Sequence, residues 1–224
     1  MVTPLFRDRI EAGWRLAQRL EHEAIGPNAL VLALPRGGVP VGFEITQILN
    51  SDLDILLVRK LGVPGHEELA MGAIASGGLR VVNHALIRHL GISTAVVDRV
   101  TASEQQEIQR RERLYRDGRP ALPIKDRTVI LVDDGLATGA SMLAAARAAR
   151  AQQPKRVIVA VPVASRDACE EFRQYVDDVI CAETPEPFYS VGAWYEDFSQ
   201  TSDAEVRELL HRASHERVAS GGFV

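Results

Sequence analysis

The chain has only two cysteines, Cys169 and Cys181, in 224 residues. They form neither a metal-ligand nor a redox pair by spacing, and both read as isolated, small buried hydrophobes. The six histidines have no zinc-ligand spacing. No Gly-x-x-x-x-Gly-Lys-Ser/Thr, Gly-x-Gly-x-x-Gly or Gly-x-Ser-x-Gly occurs, which counts against nucleotidase, dehydrogenase and hydrolase chemistries built on those motifs. Positive charge is not in excess: the net charge is −4, so no basic field argues for nucleic acid. No apolar run approaches membrane-spanning length. Residues 1–9 carry no apolar signal core. With cysteine so sparse, these features predict a cytoplasmic protein.

What is present is ordinary for a globular chain: 46% hydrophobic and 25% charged residues. The length suffices for one domain with a real core, and no repeat or boundary divides 1–224. Ile10, Trp14, Leu16 and Leu20 recur on a helical period over residues 6–20, which places Trp14 in the core. Short β-branched runs at 29–34, 53–58, 128–132, 156–161 and 179–182 read as strands. They alternate with helical stretches, which predicts an α/β fold with a mainly parallel central sheet flanked by helices.

The stretch from Thr128 to Met142 organises this pattern. An apolar strand, suited to burial on both faces, runs into Asp133 and Asp134. A turn of small residues follows, Gly135, Leu136, Ala137, Thr138, Gly139 and Ala140, and a helix opens near Ser141. In a doubly wound sheet such a strand–turn–helix faces the ligand crevice. Backbone amides, the Thr138 and Ser141 hydroxyls and a helix N-terminus meet there, a combination that suits a phosphate. Acid pairs also end strands in phosphoacceptor domains, so the pattern type alone leaves both readings open.

A second turn follows the first strand: Pro35, Arg36, Gly37, Gly38. Paired glycines let amides approach an anion, and Arg36 supplies a planar fork for phosphate oxygens. Arg59 and Lys60 read as a basic pair at the end of the second strand, pointing into the same crevice. Residues 60–82 carry Gly62, Pro64 and Gly65, which suit a lid with fixed hinges, and then a hairpin around Ser76, Gly77 and Gly78. Residues 92–117 form a long charged helix capped by Ser93, a candidate contact in a homo-oligomer. Residues 184–199 concentrate Phe188, Tyr189, Trp194, Tyr195 and Phe198, a candidate stacking floor for a planar ring. A closing helix over 202–212 and a loose tail over 219–224 end the chain.

The string Asp-Asp-Gly-Leu-Ala-Thr-Gly-Ala-Ser-Met, 133–142, resembles the phosphoribosyl pyrophosphate (PRPP) signature of the type I phosphoribosyltransferases. Residues 33–42 resemble the pyrophosphate loop of the same family, with Pro35 where the xanthine–guanine branch has serine. The resemblance implies that fold, with a lid and a small C-terminal hood over residues 184–199. It implies transfer of the 5-phosphoribosyl group from PRPP to a nitrogen nucleophile, with release of pyrophosphate and use of Mg2+. Asp133 and Asp134 would hold the ribose hydroxyls and, mainly through the ligand, the metal. Ala137, Thr138, Gly139, Ala140 and Ser141 would cradle the 5′-phosphate. Arg36, Gly37, Gly38, Arg59 and Lys60 would meet the pyrophosphate, with a cis peptide at Arg36–Gly37. Phe188, Tyr189 and Trp194 would bind the base. Ala137 stands where the hypoxanthine branch has an aspartate that handles the base proton. The adenine branch uses a lid glutamate, for which Glu67 and Glu68 are the candidates. A PRPP-sensing regulator of the same fold, without turnover, is the alternative.

Overall fold

The computed structural model of the chain describes residues 3–26 and 28–220, and side chains as far as 216. Asp8 caps the first helix, α1 (Arg9–Glu21), by accepting from the Glu11 amide. Strand β1 (Ala29–Ala33) is buried at every position and leads into α2 (Gly38–Leu49). Strand β2 (Asp52–Ile55) completes the first parallel crossover. A three-stranded antiparallel unit follows: β3 (Val58–Val63), β4 (His66–Ala75) and β5 (Arg80–Val82). A short helix α3 (His84–His89) precedes the long α4 (Thr94–Arg116), which Ser93 caps as expected. The second half alternates β6 (Thr128–Val132), α5 (Ala140–Ala151), β7 (Arg156–Val163), α6 (Arg166–Phe172) and β8 (Asp178–Glu183). Helix α7 (Asp203–Ser220) closes the chain. It runs beyond the expected end, taking in 219 and 220 of the expected tail; residues 221–224 lie outside the described part.

The central sheet has the order β2-β1-β6-β7-β8 and every pairing is parallel. Past the opening Thr128 of β6 and Arg156 of β7, each strand of the β1-β6-β7 centre is a continuous apolar run because helices cover both faces. Burying one such Leu or Ile side chain contributes roughly 1.5–3 kcal/mol. On one face Val31, Ile130 and Ile158 pack with Leu16 and Leu20 of α1, Val41 and Ile45 of α2 and Val206 of α7. On the other, Leu131 and Val159 pack with Met142 and Ala146 of α5 and Phe172 of α6. The chain leaves β1 toward β2 on one side, while β6 pairs on the other. The crevice at this switch point lies beyond the carboxyl ends of β1 and β6.

Four expectations are corrected. Trp14 is 49% exposed, and Ile10 lies on the same outward side. The buried stripe of α1 is Ala12, Gly13, Leu16, Ala17 and Leu20, whose small residues let α2 come close; a Cβ on Gly13 would lie 2.9 Å from Val41 O. The second strand stops at Ile55, because the chain turns out of the sheet through Leu56 and Leu57, whose amides bond to Ala33 O and the Ser76 hydroxyl. Arg59 and Lys60 therefore stand on β3, not at a central strand's end. Cys169 and Cys181 are joined in a disulfide with Cα atoms 7.0 Å apart, because β8 brings the chain back beside α6. The non-proline cis peptide is Pro35–Arg36, one bond before the expected one; Gly37 already has helical dihedrals and caps α2.

Candidate active site

Asp133 and Asp134 follow β6 directly and are half-buried at the crevice floor. Asp133 Oδ1 accepts from the Asp134 amide at 2.9 Å. Asp134 Oδ2 accepts from Arg9 Nε at 2.8 Å. Among the described residues no side chain other than Arg9 donates to the pair's carboxylates, so carboxylate oxygens remain for hydroxyls or a cation. Burial pushes the Asp133 carboxyl well above its ordinary range, and the neighbouring Asp134 charge pushes it further. Burial raises Asp134 as well, against the downward pull of Arg9.

The two glycine turns frame this pair. Gly38 lies so close to β6 that a Cβ there would sit 2.6 Å from Val132 O. A Cβ on Gly37 would fall on the Asp134 carboxylate and reach 3.2 Å from Arg9 Nε. The paired glycines thus let the start of α2 abut the acid pair. The Gly38 amide bonds to Leu34 O at 3.1 Å. On the other side, Leu136 bridges to Ala164, and its amide bonds to Val163 O. Residues 137–141 then turn freely into α5, and among the described residues none accepts from their backbone amides. Ala137, Thr138, Ala140 and Ser141 are exposed. Gly139 sits at φ 69° against Phe172 and Leu136, where any Cβ would collide. Unpartnered amides, two hydroxyls and a helix N-terminus meet at this turn, a combination that suits an oxyanion.

The turn at 137–141, the acid pair and the turn at 36–38 thus share one crevice, suited to a ligand with anionic ends and hydroxyls between them. The phosphoribosyl transferase domain family matches the chain over residues 65–196. The chain belongs to this family. It is 46% identical over 220 residues to a protein of Mycobacterium tuberculosis H37Rv, and equally to that of strain CDC 1551, both named "Putative phosphoribosyl transferase". These alignments cover 98% of this chain and 49% of each relative, so the chain spans about half the length of the curated relatives it matches. The crystal structure of TT1426 from Thermus thermophilus is 40% identical, with a TM-score of 0.80 over 92% of this chain and 98% of that one. A hypothetical protein from Neisseria gonorrhoeae with bound ppGpp shares the fold at 11% identity, with a TM-score of 0.52 over 95% of this chain and 98% of that one. The α/β architecture with a parallel sheet flanked by helices, expected of a type I phosphoribosyltransferase, is the one observed.

Within this phosphoribosyl transferase fold, the other sequence candidates divide. Arg36 remains at the crevice, with its Nη1 3.5 Å from Asp203 Oδ1 on α7. The same oxygen accepts from the Tyr115 hydroxyl at 2.7 Å; burial and this aspartate push the phenol up to about 12. Arg59 is ion-paired to Glu104 of α4 at 2.7 Å, and Lys60 lies 3.6 Å from Glu68. The hairpin carries both away from the acid pair's own strand. Its base is anchored by Leu61, Met71 and Ile74, while residues 64–70 are exposed, Glu67 and Glu68 included.

The aromatic segment also divides. Trp194 is 7% exposed and packs with Phe6, Ala12, Val163 and Tyr195 in a satellite cluster. Phe188 is half-buried beside it, with ring centroids 6.4 Å apart, while Tyr189 is 66% exposed. Tyr189 is thus the open ring of the three proposed for a base. Asp197 accepts from the Ser199 amide. Among the described residues no group of three or more His, Cys, Asp or Glu side chains could hold a metal ion. No described helix is long and apolar enough to cross a membrane.

One site residue escaped the sequence pattern: Arg9 reaches Asp134 from the first turn of α1. Tyr195, expected in the aromatic cluster, instead donates its hydroxyl to Asp134 O at 2.6 Å. One signal for Arg9 existed: a cation at the start of a helix stands at the wrong end of the helix dipole, so some other partner must favour it.

Proposed function

We propose that the chain transfers the 5-phosphoribosyl group of PRPP to a nitrogen nucleophile and releases pyrophosphate. The observation that carries this is the acid pair set between the unpartnered amides of 137–141 and the glycine turn at 36–38. In this reading the turn, with Ala137, Thr138, Gly139, Ala140 and Ser141, receives the 5′-phosphate. Carboxylate oxygens of Asp133 and Asp134 accept from the ribose hydroxyls. Arg36, Gly37 and Gly38 face the pyrophosphate. As the bond from C1 to the pyrophosphate oxygen breaks, its electron pair leaves with that oxygen, and the nitrogen lone pair forms the new C1–N bond. The reacting carbon passes through a cationic state, so positioning and charge do the work without a protein nucleophile.

The donor set fits Mg2+ carried in by the ligand. Two carboxylates offer too few contacts for a site made of protein alone, and the burial that raises both carboxyls favours a neutralising cation. Asp133 and Asp134 would hold it mainly through the ligand, and it would supply charge to the departing pyrophosphate. Arg59 and Lys60 join the pyrophosphate only if the hairpin closes over the crevice, releasing Glu104 and Glu68. Tyr189, with Phe188 behind it, is the proposed surface for a planar acceptor.

The test is a panel of purine, pyrimidine and pyridine bases with PRPP and Mg2+, read as pyrophosphate release. One acceptor should give turnover that Asp133→Asn and Asp134→Asn each reduce at least a hundredfold, in the range typical for losing transition-state electrostatics. PRPP binding with no turnover on any base would assign the chain to sensing instead.

A further inference from the structure

The acid pair is completed from outside the matched region 65–196. Arg9 is the first residue of α1, and its side chain is only 12% exposed. It makes three contacts at once. Its Nε donates to Asp134 Oδ2 at 2.8 Å, its Nη1 donates to Ser199 O at 2.7 Å, and its Cζ lies 4.0 Å from the centroid of the Phe198 ring. Phe198 in turn lies 5.1 Å from Tyr195, whose hydroxyl donates to Asp134 O. Gly37 of the other turn abuts the same ion pair. One guanidinium therefore joins α1, the acid pair, the edge of the 36–38 turn and the segment after the aromatic cluster.

Local propensity does not account for this arginine. The first turn of a helix favours acids, such as Glu11 here, and disfavours a cation. Burying a charge costs much unless it is paired and hydrogen-bonded, and Arg9 is both. Its planar fork, with Nε to one acceptor, Nη1 to a second and a face on a ring, is a geometry that a lysine ammonium does not reproduce. Asp134 by itself would have two oxygens free to rotate. Arg9 occupies Oδ2, which leaves Oδ1 as the oxygen offered to the crevice.

We infer that Arg9 is a positioning residue for PRPP: it fixes Asp134 in the orientation that the ribose requires, and it ties that orientation to the 198–199 segment. This rests on the reading of the acid pair as the ribose site. Arg9 then acts through Asp134, so the two residues form one unit, and their losses do not add.

The test is a double-mutant cycle on the full chain, using calorimetric affinity for PRPP with Mg2+ and melting temperature for each protein. Arg9→Gln should weaken PRPP roughly tenfold, and Arg9→Lys should recover only part of that loss. Asp134→Asn should weaken it at least as much, and adding Arg9→Gln to Asp134→Asn should change it less than twofold further. Melting temperatures report the structural share of each change, which a coupling confined to affinity does not follow. If Asp134→Asn weakens PRPP while Arg9→Gln leaves it unchanged, or if the two losses simply multiply, the inference is overturned and the ribose assignment stands. If wild type and Asp134→Asn bind PRPP equally, the ribose assignment fails and the inference fails with it.

Discussion

The Phe172 ring occupies the space that a side chain on Gly139 would need. A Cβ at 139 would lie 2.8 Å from Cζ of that ring, and Gly139 has a φ of 69°. Phe172 belongs to α6, so the turn at 137–141 is held from behind by that helix.

Gly139→Val therefore meets two penalties, a left-handed backbone and a collision with a packed ring, together on the order of 3 kcal/mol. The variant should melt well below wild type and lose affinity for ribose 5-phosphate. Thermal unfolding and calorimetric titration check this. A stable variant with normal affinity would remove the turn from the site.

The acid pair predicts a stability change of opposite sign. Burial raises the Asp133 carboxyl above its ordinary value of 3.8. A carboxyl whose folded pKa exceeds its unfolded pKa weakens the fold at pH above both, and the loss fades as pH falls through the folded value. Asp133→Asn should raise Tm at pH 7 in the absence of ligand, by roughly 2–4 °C for each 1 kcal/mol relieved. The gain should shrink as the pH is lowered toward 4. Melting curves of both proteins across that range measure it; a Tm that falls at pH 7 would contradict the assigned burial cost.

How much of this was readable beforehand depended on distance along the chain. The strand Thr128–Val132, its two acids and the turn after it were legible because a fully buried parallel strand is a continuous apolar run and its turn chemistry is local. The five-stranded sheet followed from the same signal. Trp14 was misplaced because hydrophobicity alone does not say which side of α1 meets α2; the close approach at Gly13 decides that. Arg9 and Asp134 are 125 residues apart, and no local pattern joins them. The Cys169–Cys181 link likewise depends on how β8 returns beside α6.

That link gives a further prediction. Cys169 and Cys181 close a loop of 12 residues, for which chain entropy suggests about 3 kcal/mol. Treatment with a dithiol reductant should lower Tm, and Cys169→Ser should lower it to the same point and abolish the response. Thiol counting before and after reduction checks the bond itself. Two free thiols in the untreated protein would contradict it.

The hairpin should behave as two parts. Leu61, Met71 and Ile74 anchor its base, and residues 64–70 are exposed. Hydrogen exchange should be fast over 64–70 and slow around 71–75, and PRPP with Mg2+ should slow the tip if the hairpin closes. Exchange at the tip that stays the same on saturation would refute closure.

In the proposed reading PRPP lies across the acid pair, with a phosphate at each glycine turn. Calorimetric titration of PRPP and Mg2+ into wild type and the Asp133→Asn, Asp134→Asn double variant tests it most directly. Wild type should bind tightly and only with the metal. The variant should bind at least tenfold more weakly, while circular dichroism shows its fold intact. Equal affinity of the two folded proteins would contradict it.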